Sequence, residues 1–252
     1  MGELTLIESG DATMLYDPSG AGNFGAHWFE PAHWQSCGAI RGGARGRGNT
    51  VFFEVAGEQY ALRHYRRGGV VARLLADRYL YAELEASRPW REWQLTRALH
   101  AAGLPVAQPI AARVVRAGLW YRGDLITRRL EATRTLAEHL ESGATSAELF
   151  ADVGRCIARF HRAGVHHADL NAHNVLINAR GEIFLIDFDR GELRSPGWWQ
   201  DANLVRLRRS ILKVCDALSK DGFDEVLWSS LCLAYRETRH AAAAELDVRM
   251  SG

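Results

Sequence analysis

The sequence predicts an α+β fold in two lobes, β-rich over residues 1–130 and mainly helical over residues 131–252. Three observations carry this. Short runs rich in Val, Ile, Phe, Tyr and Thr, separated by Gly-containing turns, fill much of the first half. Capped segments with apolar residues three and four apart dominate the second. No internal repeat or low-complexity stretch interrupts either.

Taken in order, residues 39–49 (AIRGGARGRGN) read as a Gly/Arg turn. TVFFEV (50–55) and QYALRHY (59–65) then form a strand–turn–strand unit around Gly57 and Glu58. Between residues 70 and 84, Val71, Leu74, Leu75 and Arg78 recur at helical spacing. Pro89 opens a second helix, PWREWQLTRALHAAG, with Trp93, Leu95 and Leu99 inside and Gly103 at its end. PIAARVV and WYRGDLITR flank a turn at Ala117-Gly118. TSAELFADVGRCIARFHRAG begins with a capping box, Thr145 and Glu148, and carries the stripe Leu149, Val153, Ile157 and Phe160. VLIN and IFLID make a hairpin around Arg180-Gly181, and two amphipathic helices follow from Trp198.

Composition narrows the class. Hydrophobic residues are 47% and charged residues 24%, the balance of a soluble globular protein. A net charge of +1 gives no field that calls for nucleic acid. Lys213 and Lys220 are the only lysines, so the first half has none to bind a phosphate. Cys37, Cys156, Cys215 and Cys232 form no C-x-x-C pair, against a metal site or a disulfide framework. The opening MGELTLIESGD lacks the basic start and apolar centre of a secretion signal, and no run of about 18 apolar residues occurs. The expected place is the cytosol or the cytosolic side of a membrane.

The densest polar chemistry is VHHADLNAHNVLIN, residues 165–178. His167, Asp169 and Asn174 stand in HADLNAHN, and Asp187 follows in IDFD. This is the order of H-R-D-L-x-x-x-N and D-F-G in protein kinases. Asp and Asn also cap turns, but a chance cap does not explain the whole register with a helix before it and a hairpin inside it. The reading is phosphoryl transfer. Asp187 and Asn174 are hard oxygen ligands for Mg²⁺, Asp169 accepts the proton of an attacking hydroxyl, and His167 braces the loop. His166 and His173 have no Cys or Glu at ligand spacing and read as structural.

In the first lobe, GGARGRG (42–48) is the candidate cover for the phosphates of ATP, with Gly43, Gly46 and Gly48 allowing close backbone approach. Its order differs from G-x-G-x-x-G. Tyr60-Ala61-Leu62-Arg63 stands where V-A-I-K stands in kinases, and period two puts Ala61 and Arg63 on one strand face, Ala61 toward adenine and Arg63 toward phosphate. Arginine binds as a planar fork where lysine is a point charge. Glu92, early on its helix, is the acidic partner, ahead of Glu83 and Glu85. The hinge falls near residues 127–130.

About ten residues separate Asp187 from the next helix, and no A-P-E occurs. So short a segment suits a small or sugar-like acceptor better than a peptide. Asp189, Arg190 and Arg194 lie beside the metal position. Arg206, Arg209 and Lys213 share one helix face, read as a solvated face or as a surface for phosphates and anionic lipid. NFGAHWFEPAHW, with Phe24, Trp28, Phe29 and Trp34, suits a membrane interface or packing on the first lobe; packing is the expectation.

FGAHWF, GARGRG, YALRHYRRGG, PWREWQL, LITRRL, HHADLNAHNVLIN and IDFDRGELR together resemble the 3-deoxy-D-manno-octulosonic acid (Kdo) kinase family, over residues 23–215. The resemblance implies a protein-kinase-like fold and ATP-dependent phosphorylation of the 4-hydroxyl of Kdo in Kdo–lipid IVA, during assembly of the lipopolysaccharide core. It implies peripheral attachment to the cytoplasmic face of the inner membrane, an anionic surface, and Asp169 as catalytic base. Alternatives are a compact serine kinase, an antibiotic phosphotransferase, or a nucleotide-binding scaffold without catalysis.

Overall fold

The computed structural model describes residues 4–22, 24–44, 50–66, 77–217 and 225–250. They fall into two compact units, one of residues 1–103 and 107–131, the other of residues 104–106 and 132–252. The α+β class holds, with an antiparallel sheet in the first unit and most of the helix in the second.

The first unit is built on one sheet. Its strands are β1 Thr5–Ser9, β2 Ala12–Tyr16, β3 Ile40–Ala44, β4 Thr50–Val55, β5 Glu58–His64, β6 Tyr79–Leu80, β7 Pro109–Ala117 and β8 Trp120–Arg128. They run in the order β1-β2-β7-β8-β5-β4-β3, with β6 paired to β8. Alternation sorts side chains to two faces. On one, Met14, Phe53, Tyr60, Leu62, Ile110 and Ile126 pack with Trp28, Phe29 and Trp34, which come from a 3-10 turn at Ala26–Phe29 and helix α1, Pro31–Ser36. The Trp34 ring stacks on Phe53 at 4.4 Å, and its indole N–H donates to the Trp28 carbonyl at 3.0 Å. The aromatic stretch is therefore core, and its membrane-interface reading fails because Trp28, Phe29 and Trp34 are buried. On the other face, Leu15, Tyr65, Val114, Tyr121 and Leu125 pack on Trp93 of helix α2, Arg88–Ala101. Gly123 in β8 permits this approach: a Cβ there would lie 2.6 Å from Pro89 Cγ.

The second unit contains β9 Thr133–Thr135, α3 Leu136–Ser142, α4 Ala147–Arg162, β10 Val165–His166, β11 Val175–Asn178, β12 Ile183–Leu185, β13 Glu192–Leu193, α5 Trp199–Ala217 and α6 Glu225–Met250. The small sheets are β12-β11-β9 and β10-β13. Val153, Ile157 and Phe160 of α4 are buried as their spacing requires, together with Phe150, Leu207, Ile211 and Leu231. A Cβ on Gly154 would collide with the Leu231 backbone, so α4 and α6 meet through a bare backbone.

Four local readings change. Residues 40–44 are strand rather than turn: Gly43 pairs with Val51, and a Cβ on it would sit 2.8 Å from the Thr50 carbonyl oxygen, so this glycine serves a close strand approach. Tyr79–Leu80 pairs with Trp120 and Tyr121 instead of continuing a helix, because the Tyr79 ring packs on Tyr121 at 5.4 Å. Val71, Leu74 and Leu75 lie outside the described residues. The α4 cap is Ser146, whose hydroxyl accepts from Leu149 N–H at 3.1 Å, one position beyond Thr145. A capping box does occur at α3, between Thr135 and Glu138. The β4–β5 turn is Ala56-Gly57, both at positive φ, with Glu58 already in the strand.

Two histidines predict opposing pH effects. His161 of α4 is buried, with Nδ1 2.8 Å from the Tyr235 hydroxyl, and burial pushes its pKa from 6.5 down to about 4. Below 6.5 the unfolded chain takes up a proton that the folded chain refuses until about 4. Stability therefore falls as pH drops through that window, by roughly 1 kcal/mol per pH unit. Hydrogen-bonded by Asp124, His64 is shifted upward. Its contribution is complete below 6.5 and lost as pH rises through the raised value. Urea midpoints should drop across the acid window, with a shallower slope in His161→Phe; an equal slope contradicts a buried neutral ring.

Candidate active site

The polar loop is formed by chain reversal after α4. Gly164 takes φ +74°, and its carbonyl accepts from Arg194 N–H at 2.7 Å, which aligns β10 with β13. His167 follows, buried. Its Nδ1 accepts from Asp169 N–H at 3.2 Å and its Nε2 donates to the Ile186 carbonyl at 2.9 Å. One acceptor and one donor are what a neutral imidazole offers, and burial holds the ring below its usual pKa. The ring packs on Phe188 at 4.9 Å. Asn203 of α5 clamps the same residue: its Oδ1 accepts from His167 N–H at 3.3 Å and its Nδ2 donates to the His167 carbonyl at 3.0 Å.

These bonds set the three predicted oxygen groups. The Asp169 carbonyl accepts from Asn174 Nδ2 at 2.9 Å and Asn171 Nδ2 at 3.0 Å. Asn171 Oδ1 in turn accepts from the N–H groups of His173 and Asn174, an Asx turn that tightens the loop. The Asn174 carbonyl accepts from Ile186 N–H at 3.1 Å. Loop and strand end are thus tied by two backbone groups of Ile186, one to Asn174 and one to His167, immediately before Asp187. Asp187 adopts φ +65°, in the left-handed region. Such strain in a non-glycine residue is held only by over-determined surroundings and concentrates at functional sites. The Asp169 carboxylate Oδ1 lies 3.2 Å from Arg206 Nη1 of α5, and Ser210 on the same helix accepts from Ala172 N–H at 3.1 Å.

In the first unit, Arg63 and Glu92 meet in an ion pair, Arg63 partly exposed and Glu92 buried. Tyr65 also donates its hydroxyl to Glu92, and the Arg63 guanidinium lies over the Tyr65 ring at 4.7 Å. A buried carboxylate needs such pairing. Ala61 and Arg63 share one face of β5, as period two requires, and Tyr65, the first residue past its end, continues the same alternation; the sequence reading missed it. Glu83 and Glu85 are exposed. Gly43 lies in β3, while Gly46 and Gly48 fall outside the described residues.

Residues 31–235 match the family described as Lipopolysaccharide kinase (Kdo/WaaP). The chain belongs to that family. It is 39% identical over 204 residues to the 3-deoxy-D-manno-octulosonic acid kinase of Vibrio vulnificus (strain CMCP6), covering 81% of this chain and 86% of the relative. It is 42% identical over 218 residues to the protein of the same name from Xanthomonas campestris pv. campestris (strain B100), covering 86% of each. A third such kinase, from Vibrio parahaemolyticus serotype O3:K6 (strain RIMD 2210633), is 42% identical over 203 residues, 81% of this chain and 83% of its own. The chain is therefore a phosphotransferase.

The donor set suits a hard divalent cation. Asn174 commits Nδ2 to the Asp169 carbonyl, which leaves Oδ1 as its acceptor end, and Asp187 adds a carboxylate; both are hard oxygens. Both His167 ring nitrogens are engaged, so no soft ligand competes. Among the described residues no group of three His, Cys, Asp or Glu could enclose a metal. An amide and a carboxylate completed by substrate phosphates is the usual magnesium pattern.

Other expectations sort more finely. Arg194 engages Glu192, Arg190 is exposed and 4.0 Å from Asp189, and His173 is exposed. His166 packs edge-on against Trp199. Asn203, Ser210 and the Arg206 contact with Asp169 were not read from sequence, where α5 showed only a basic face. Asn203→Leu leaves the buried His167 N–H and carbonyl without these partners. It should lower the melting temperature by the equivalent of about 1–3 kcal/mol and cut kcat by up to about a hundredfold through loop misplacement. Calorimetry and steady-state kinetics check both; wild-type values contradict the clamp.

Proposed function

We propose that this kinase transfers the γ-phosphoryl group of ATP to the 4-hydroxyl of Kdo in Kdo–lipid IVA, a step in assembly of the lipopolysaccharide core. The observation that carries the reaction is the braced Asp169, tied through His167 and Asn174 to the strand end that bears Asp187. The relatives' shared name supports the acceptor.

Asp169 accepts the proton of the attacking hydroxyl as that oxygen bonds to the γ-phosphorus and the bond to the β,γ-bridging oxygen breaks, releasing ADP; the proton transfer contributes about 10²–10⁴ in rate. Asn174 Oδ1 and the Asp187 carboxylate would hold Mg²⁺. Bound there, the ion neutralises charge on the phosphates. Arg63 would hold phosphate oxygens, its guanidinium oriented by Glu92 and Tyr65. Arginine presents a fixed fork of donors, so its aim depends on those partners more than a lysine's would.

The lipid acceptor supports work at the cytoplasmic face of the inner membrane. No described helix is long and apolar enough to cross a membrane. Peripheral attachment fits the exposed Trp198 just before α5 and the exposed Arg209 and Lys213 along it, an aromatic and cationic surface suited to anionic headgroups.

Phosphorus NMR tests the reading. With ATP, Mg²⁺ and Kdo–lipid IVA, wild type should give a new phosphomonoester on the sugar. Asp169→Asn should slow its formation by about a hundredfold or more. Casein and aminoglycosides should remain unlabelled. Labelling of protein or drug alone, or equal rates for the two proteins, contradicts the proposal.

A further inference from the structure

Arg206 stands one hydrogen bond from the carboxylate assigned above as proton acceptor. An Oδ1 occupied by a guanidinium is less accessible to a hydroxyl. The pair is also partly solvated, with side chains 54% and 32% exposed, and solvated pairs of this kind contribute little stability. It can therefore be exchanged cheaply.

The backbone beneath Arg206 is fixed. Asn203, one turn before it, grips His167, and Ser210, one turn after it, caps Ala172. These three side chains share the face of α5 that meets the loop, as i, i+3 and i+7 positions do. The side chain can turn, but its root keeps a set distance from Asp169. Among the described residues its one hydrogen bond goes to that single Oδ1. A guanidinium holds a carboxylate best through two parallel N–H···O bonds, and here only Nη1 is engaged.

We propose that Arg206 is the anchor for the acceptor's carboxylate. It rests on Asp169 Oδ1 before the acceptor arrives and moves to the sugar acid when it binds, which ends its bond to that oxygen and sets a hydroxyl against it. This rests on the reading above that the acceptor is an octulosonic acid, which carries a carboxylate a few ångström from its ring hydroxyls. The exchange gives specificity as well as placement. A neutral sugar would leave Arg206 on the base, so the carboxylate that identifies the substrate also draws Arg206 off the oxygen that accepts the proton.

The test compares Kdo–lipid IVA as the free acid and as its carboxamide, with wild type, Arg206→Ala and Arg206→Lys. Phosphate transfer is followed, with thermal melting and KM for ATP as controls. Arg206→Ala should raise KM for the free acid about 10- to 100-fold, the worth of a charged hydrogen-bonded contact. It should cost much less on the carboxamide, and lysine should restore part of the loss as a point charge. Equal losses on both acceptors, or a fall in kcat with KM for the free acid unchanged, would make Arg206 a strut for Asp169 and overturn the anchor alone. If wild type phosphorylates neither acceptor while still hydrolysing ATP, the octulosonic acid reading fails and the anchor falls with it.

Discussion

A single neutral imidazole organises the catalytic unit. His167 joins the amide of Asp169 to the carbonyl of Ile186, and so fastens the loop that carries Asp169, the proposed base, to the strand end that carries Asp187. Both ring nitrogens are used and the ring is buried on Phe188. A proton added to Nδ1 would break the bond from Asp169 N–H and bury a charge. The other loop contacts depend on this bond: the Asp169 carbonyl can collect the amides of Asn171 and Asn174 only while the loop keeps its turn. The positive φ of Asp187 is tolerated for the same reason, since Ile186 just before it is held through both N–H and carbonyl.

Helix α5 is the platform on which that loop sits. Asn203, Arg206 and Ser210 reach three successive parts of it, the backbone of His167, the carboxylate of Asp169 and the amide of Ala172. The short segment between Asp187 and α5 makes this possible. The first unit follows a parallel logic on a smaller scale. Glu92 is buried on α2, and Arg63 near the end of β5 and Tyr65 just past it both bind it. A guanidinium that donates to a buried carboxylate and to the Tyr65 hydroxyl is oriented before any phosphate binds.

Much of this was legible in the sequence because it is local or periodic. HADLNAHN and IDFD carry their own spacing, period two put Ala61 and Arg63 on one face, and the α4 stripe follows a 3.6-residue repeat. The misses are of two kinds. Some are local ambiguities: Gly43 looks like a turn residue although it is needed for a close strand approach, and Ser146 beside Thr145 offers an equivalent cap one residue on. Others are non-local. Tyr79 becomes strand because of Tyr121, and Asn203 matters because of His167, 36 residues earlier; a partner so far along the chain leaves no local pattern. The aromatic stretch at residues 24–34 shows the same limit, for its composition suits a membrane surface and a core equally, and only Phe53 and Tyr60 decide for the core.

The brace is most directly read by nitrogen-15 NMR of the His167 ring across the neutral and mildly acidic range. The account predicts a neutral ring protonated at Nε2 and not titrating near 6.5, the ordinary histidine value. A ring that titrates near that value, or carries its proton on Nδ1, would contradict it.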